Sequence, residues 1–291
     1  MTKLRPLLFC SLLLLIFAQS AFAAGRVECG AVQSSFAGHP VQYCALLPPS
    51  YDNSTAGKKV FPVLYMLHGL GQDAQSLISD GIWNLVEDLQ GQKKIGEFVI
   101  ITPTADRSFY INSKSGRVRY EDFFIREFLP AMQTKYRISQ VRGGRAISGI
   151  SMGGYGALRF AFKYPQMFSS VSAHSAALLE QLPKASGPAG LGGFIGPAFG
   201  APLDTEYWKA NSPFIFARSA RLNGLKIYFD CGDQDDYGFE KGAQSLDKLL
   251  TARKVAHEFH IYPGVHDWPY FSQHLPASLE LHSKAFAVSS Q

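Results

Sequence analysis

Cysteine is scarce in this chain, four in 291 residues. No cluster of His, Cys and Asp has the spacing of a ligand set, which predicts no metal. Charge is thin as well. Charged residues are 18% of the chain, and the formal net charge of +5 is scattered without a basic run. That pattern excludes a nucleic-acid footprint. No Pro/Ser-rich linker, charge block or internal repeat marks a second domain. The leading apolar stretch, Leu7 to Phe17, is too short to span a membrane. It follows Lys3 and Arg5 and precedes Ala21-Phe22-Ala23, which predicts a secretory signal peptide over residues 1–23. Cys10 lacks the small residues that precede a lipoprotein cysteine, so no lipid anchor is expected. Residues 24–291 then form one domain with ample core, secreted or periplasmic.

What is present is organised around Gly149-Ile150-Ser151-Met152-Gly153. A G-x-S-x-G match arises by chance roughly 0.1 times in a chain of this length, so its context has to carry the argument. An apolar strand, Arg145 to Ser148, leads in, and a small-residue helix from Gly154 leads out. A sharp strand-to-helix turn of this kind exposes the central hydroxyl at a helix N-terminus, where developing negative charge is favoured. Ser151 is the candidate nucleophile.

Around the turn, apolar runs alternate with helical patterns. Val60–Leu67, Phe98–Pro103, Phe168–His174, Leu225–Cys231 and Ala256–Tyr262 read as strands. Ser76–Leu89, Tyr120–Tyr136 and Tyr237–Ala252 read as helices. The alternation predicts an α/β fold with a mostly parallel central sheet and helices on both faces. Leu178–Phe216 interrupts it. Rich in Gly and Pro, and carrying Phe194, Phe199, Tyr207, Trp208 and Phe214, it is expected to be a loop-rich insert that covers the site. Val27–Gln33 and Val41–Leu47 read as a hairpin turned near Ala37-Gly38. Cys29 and Cys44 lie about equally far from that turn and so face each other. Their disulfide would close a loop of about 15 residues, worth about 3 kcal/mol in the chain-entropy model. Cys231 is left as a buried free thiol.

Three further stretches bear on chemistry. His68-Gly69-Leu70-Gly71 follows the Val60–Leu67 strand. In such an architecture one oxyanion amide comes from this loop and one from the residue after the nucleophile, which nominates the amides of Leu70 and Met152. His68 reads as a packed turn residue. The acidic turn Asp233-Gln234-Asp235-Asp236 closes the Leu225–Cys231 strand, and Pro263-Gly264-Val265-His266-Asp267-Trp268 follows the last strand. Nucleophile, acid and His therefore occur in the order Ser151, an acid near 233–236, His266. His257 and His260 stand three apart on a strand and point to opposite faces, so they form no zinc motif.

Tyr65 to Leu70, Gly144 to Gly154, Cys231 to Asp235 and Gly264 to Trp268 resemble the putative esterase family of α/β-hydrolases. That family embraces esterase D (S-formylglutathione hydrolase), feruloyl and acetyl-xylan esterases, and mycolyltransferases. The resemblance implies an α/β-hydrolase fold, no cofactor, and a serine esterase with a Ser-His-Asp triad. It places the acid at Asp235, three residues after Gly232, rather than at Asp233, Asp236 or Glu240, and it agrees with Leu70 and Met152 as oxyanion donors. Asp233 is then free to tie its own loop, and Asp236 to cap the next helix. His68-Gly69-Leu70-Gly71-Gln72 departs from the loop of S-formylglutathione hydrolases. With the signal peptide, it argues against glutathione thioesters. The expected substrate is a small-molecule or carbohydrate ester with a short acyl, acetyl or hydroxycinnamoyl group; the alternatives are acyl transfer to a sugar or lipid hydroxyl, and a non-catalytic binding protein.

Overall fold

The computed structural model describes residues 25–53, 59–182 and 191–288. The expected signal peptide lies outside the described residues. Eight strands form one sheet: β1 (Arg26–Val32), β2 (Val41–Leu47), β3 (Val63–Leu67), β4 (Val99–Pro103), β5 (Arg145–Ile150), β6 (Ser170–His174), β7 (Lys226–Gly232) and β8 (Glu258–Tyr262). Their order is β1-β2-β4-β3-β5-β6-β7-β8. The first two strands pair antiparallel, and β2 meets β4 antiparallel; every other pairing is parallel.

Strand periodicity divides the core. Along β3, Val63, Tyr65 and Leu67 enter one buried cluster, and Leu64 and Met66 enter the other. Five consecutive buried residues are thus a strand covered on both faces, and Pro62 falls just before it. The first face is covered by α3 (Tyr120–Phe123), a π-helical turn (Phe124–Phe128), α4 (Leu129–Lys135), α5 (Met152–Lys163) and α9 (Phe239–Ala252). The second is covered by α2 (Ile82–Gly91) and α10 (Trp268–Val288).

The hairpin forms in the expected register. Cys29 stands directly opposite Cys44 and the two are bonded, while Cys231 is buried and free. Two expectations need correction. Ser76–Leu89 is not one helix: α1 (Ser76–Ser79) stops before Gly81, whose φ of 91° restarts the chain as α2. The 178–216 insert is not mainly loop: from residue 191 on it holds three helices, α6 (Leu191–Phe199), α7 (Thr205–Asn211) and α8 (Pro213–Ser219), while 178–182 and 200–204 are irregular. The reason is local. Asp204 accepts from Tyr207 N at 2.8 Å and starts α7, and Ser212, followed by Pro213, starts α8. Among the described residues, no helix is long and apolar enough to cross a membrane.

Candidate active site

The turn between β5 and α5 is built from close backbone approaches. A Cβ on Gly149 would sit 2.2 Å from the backbone of Gly153, and one on Gly153 would sit 2.1 Å from Leu67 O. Only glycine fits either position. Ser151, between them, is held at φ 55° and ψ −116°. That is costly for a residue with a side chain, and the surroundings enforce it. Ser151 N donates to His174 O at 2.9 Å, and Ser151 O accepts from Tyr155 N and Ala177 N, each at 3.0 Å.

The loop after β3 leans over this turn. A Cβ on Gly69 would stand 3.6 Å from Ser151 Cβ. Gln72 Oε1 takes the amide of Gly69 at 2.9 Å, and its Nε2 donates to Asp80 Oδ2 at 3.1 Å. With the Gly69 amide occupied, the Leu70 amide is the next donor along the loop. Met152 is the first residue of α5, so its amide has no intrahelical partner. His68 is buried. Its Nδ1 donates to Gly69 O at 2.7 Å and its Nε2 accepts from Ala105 N at 2.8 Å, an arrangement that requires neutral imidazole. Burial pushes its pKa down. His68 is a turn residue, as its sequence position suggested.

On the far side, β7 and β8 deliver two loops that interlock. His266 Nδ1 donates to Asp235 Oδ2 at 2.7 Å, with the Asp235 side chain fully buried and His266 only 10% exposed. Asp235 Oδ1 accepts from Tyr237 N at 3.0 Å and Phe239 N at 3.4 Å. Burial alone would raise this carboxyl. The bonds from His266 and the two amides outweigh it and hold Asp235 below the usual carboxylate range. The His266 ring is boxed edge-on by Tyr237, Phe239 and Phe271, with centroids at 4.9, 5.5 and 5.3 Å. Its Nε2 is the ring nitrogen left for Ser151; the two residues line one cavity without a direct hydrogen bond.

The neighbouring acids have other tasks. Asp233 Oδ1 accepts from Gly264 N at 3.0 Å, so it fastens the His266 loop rather than its own. Asp236 was expected to cap the following helix and does not. The helix begins at Phe239, after Gly238 at φ 70°, too late for position 236 to cap it. Asp236 Oδ2 accepts from His266 N at 3.3 Å instead. Cys231 donates its thiol to Asp235 Oδ2 at 3.6 Å, and burial pushes that thiol's pKa up.

The cavity over Ser151 measures about 450 Å³. The insert supplies Phe194, Ile195, Phe199 and Trp208 to its wall, and the loop after β4 supplies Arg107 and Phe109. The other three insert aromatics do structural work: Tyr207 donates to Asn112 O at 2.5 Å, and Phe214 and Phe216 pack on the core. Sequence reasoning missed Tyr155, Trp268 and Phe271 as wall residues. Their signal was position alone, since each lies within five residues of Ser151 or His266. Among the described residues, no group of three or more His, Cys, Asp or Glu could hold a metal.

Known proteins resemble this chain in sequence and fold. The family model described as "Putative esterase" matches residues 34–282. Esterase Rv1288 of Mycobacterium tuberculosis is 31% identical over 76% of this chain, and the chain spans about half (51%) of that relative's length. The acetyl esterase of Caldicellulosiruptor saccharolyticus is 24% identical over 76% of the chain and 83% of its own. A solved ferulic acid esterase superposes with a TM-score of 0.78 at 26% identity, covering 90% of this chain and 98% of that one. With its mostly parallel eight-stranded sheet and its match over most of its length, the chain belongs to the Putative esterase family and has the α/β-hydrolase fold.

Proposed function

We propose that the protein is a secreted or periplasmic serine carboxylesterase acting on carbohydrate esters of hydroxycinnamic or other small acids, with Ser151, His266 and Asp235 as its triad. One observation carries the reading. A buried Asp235–His266 bond opens onto the aromatic cavity lined by Ser151, which is held in strained backbone at a helix N-terminus. His266 Nε2 takes the proton of Ser151 Oγ as the hydroxyl attacks the ester carbonyl. The amides of Leu70 and Met152 receive the oxyanion. His266 returns the proton to the leaving alcohol, and Asp235 keeps the imidazole in the tautomer this requires. Water, activated by His266, then clears the acyl-enzyme. No step calls for a cofactor.

The cavity wall supports an aromatic acyl group as well as a short one. Phe109, Tyr155, Phe199 and Trp208 offer faces and edges for a planar ring, and a long flexible chain gains less from such a wall. The test is a panel of methyl hydroxycinnamates and p-nitrophenyl esters of rising chain length, with and without an acceptor alcohol. Hydroxycinnamates and acetate or butyrate should turn over faster than long chains, and Ser151→Ala should lose on the order of 10⁶ in kcat. Preference for long chains, or product passing mainly to the added alcohol, would overturn the substrate assignment or the hydrolytic one.

A further inference from the structure

Where β3 turns Leu64 and Met66 toward the α10 side of the sheet, the neighbouring strands turn polar groups. Ser148, Ser170, Ser172, His174 and Asp230 are all buried there, and α10 meets them with Tyr270, Ser278 and His282. Two hydrogen-bond chains result. In one, His282 bonds Ser170 Oγ at 2.7 Å and Ser172 Oγ at 2.9 Å, and Ser172 donates onward to Ser148 Oγ at 2.7 Å. In the other, Tyr270 donates its hydroxyl proton to Asp230 Oδ1 at 2.9 Å. Asp230 Oδ2 bonds His174 Nδ1 at 2.8 Å, and His174 Nε2 bonds Ser278 Oγ at 2.9 Å.

The second chain reaches the reaction centre at both ends. At one end, His174 O accepts the amide of Ser151, and Asp230 O accepts the amide of Ser175 at 2.8 Å. At the other, Tyr270 lies in the first turn of α10, four residues after His266. Its ring fills the space beside Gly264, where a Cβ would come within 2.7 Å, and Gly264 at φ 149° is the bend of the His266 loop. Asp267 Oδ1 takes the Tyr270 amide at 3.0 Å, which fastens the same loop to the helix. The Tyr270 hydroxyl bond therefore joins the helix that follows the His266 loop to β7, and the Asp230–His174 bond carries the link on to β6, whose His174 carbonyl holds the Ser151 amide.

We propose that Tyr270, Asp230 and His174 are positioning residues, a buried bracket that fixes the spacing between Ser151 and His266. The inference rests on reading those two residues as nucleophile and base. Proton transfer and attack need near-contact geometry, and a misplacement of about 1 Å costs on the order of 10² in rate. In this state Ser151 and His266 share no hydrogen bond, so the backbone around them must hold the distance.

Tyr270→Phe removes one hydroxyl and keeps the ring against Gly264. Its kcat on p-nitrophenyl acetate should fall about tenfold with KM unchanged, and its rate of labelling by a fluorophosphonate should fall by the same factor. Ser170→Ala breaks the other chain on the same face. It should lower Tm and leave kcat within about twofold of wild type, measured well below both melting points. Wild-type kcat in Tyr270→Phe, or equal losses of kcat in the two variants, overturns the bracket. If Tyr270→Phe does not accumulate as folded protein, Asp230→Asn, which keeps an acceptor for Tyr270 and weakens the hold on His174, is judged by the same criteria. Activity persisting in Ser151→Ala would instead sink the reading of the site itself.

Discussion

His282 makes a sharp prediction about acid stability. The side chain is wholly buried between Ser170 and Ser172. Ser172 spends its own proton on Ser148, so it accepts from His282 Nε2–H, and Nδ1 is left to accept from Ser170. This network holds neutral imidazole and offers nothing to a second proton. Burial first, and then the nearby charge of His174, push its pKa down to about 3 from an ordinary 6.5. Between those values the unfolded chain binds a proton that the folded chain refuses. The stability contributed by His282 is therefore complete above pH 6.5 and declines as pH falls. At pH 5 the loss is about 2 kcal/mol relative to pH 8, and it stays near that for any folded value of about 4 or lower, because the native side chain is unprotonated there in either case. Urea unfolding of wild type and His282→Gln at pH 8 and pH 5 checks this. Gln does not titrate, so the stability difference between the two proteins should move by about 2 kcal/mol in disfavour of wild type at pH 5. A difference that stays constant between the two pH values would refute the account of a neutral, hydrogen-bonded His282.

Other expectations follow from the site and the hairpin. Asp235→Asn should leave the fold intact and cut kcat by about 10⁴, because the wrong imidazole tautomer is then held; Asp233→Asn and Asp236→Asn, which lose only backbone contacts, should cost about 1 kcal/mol in stability and far less in rate, and steady-state kinetics of the three variants decides the assignment. Gly153→Ala, whose methyl would meet Leu67 O, should yield no folded protein, as judged by circular dichroism and recovery in the soluble fraction. Thiol counting on denatured chain 24–291 should find one reactive group, Cys231; three would show that Cys29 and Cys44 are not bonded.

The parts of this molecule that chemistry constrains locally are legible in its sequence. The Gly149–Gly153 turn is so tight that its glycines have no substitutes, and they announce the candidate nucleophile. The hairpin register follows from counting outward from Ala37-Gly38, and the structure sets Cys29 against Cys44. The acidic turn was harder. Asp233, Asp235 and Asp236 have the same chemistry, and which of them meets His266 depends on how two loops from β7 and β8 cross. Least legible was α10. Its buried face runs Tyr270, Phe271, Leu275, Ser278, Leu279, His282, Phe286, with the spacing of a helix but with polar residues at two core positions and Pro276 inside it. An apolar-periodicity search discounts such a face. The partners that admit Ser278 and His282 to the core, His174, Ser170 and Ser172, lie more than a hundred residues earlier in the chain.

That placement has a consequence for biosynthesis. The polar groups on β5, β6 and β7 are complete long before α10 leaves the ribosome, and until it does Ser170, Ser172, His174 and Asp230 lack the partners that Tyr270, Ser278 and His282 supply. A sheet with Ser170, Ser172, His174 and Asp230 half-covered cannot dehydrate that side without a penalty of about 1–3 kcal/mol for each orphaned group. The helix that follows the whole sheet in the chain is therefore the one that permits closure. Nascent chains that stop short of it remain open, and cooperative folding is deferred until residues 268–288 have been made. A ribosome stalled inside 268–288 should display a protease-sensitive product in place of a nearly native domain.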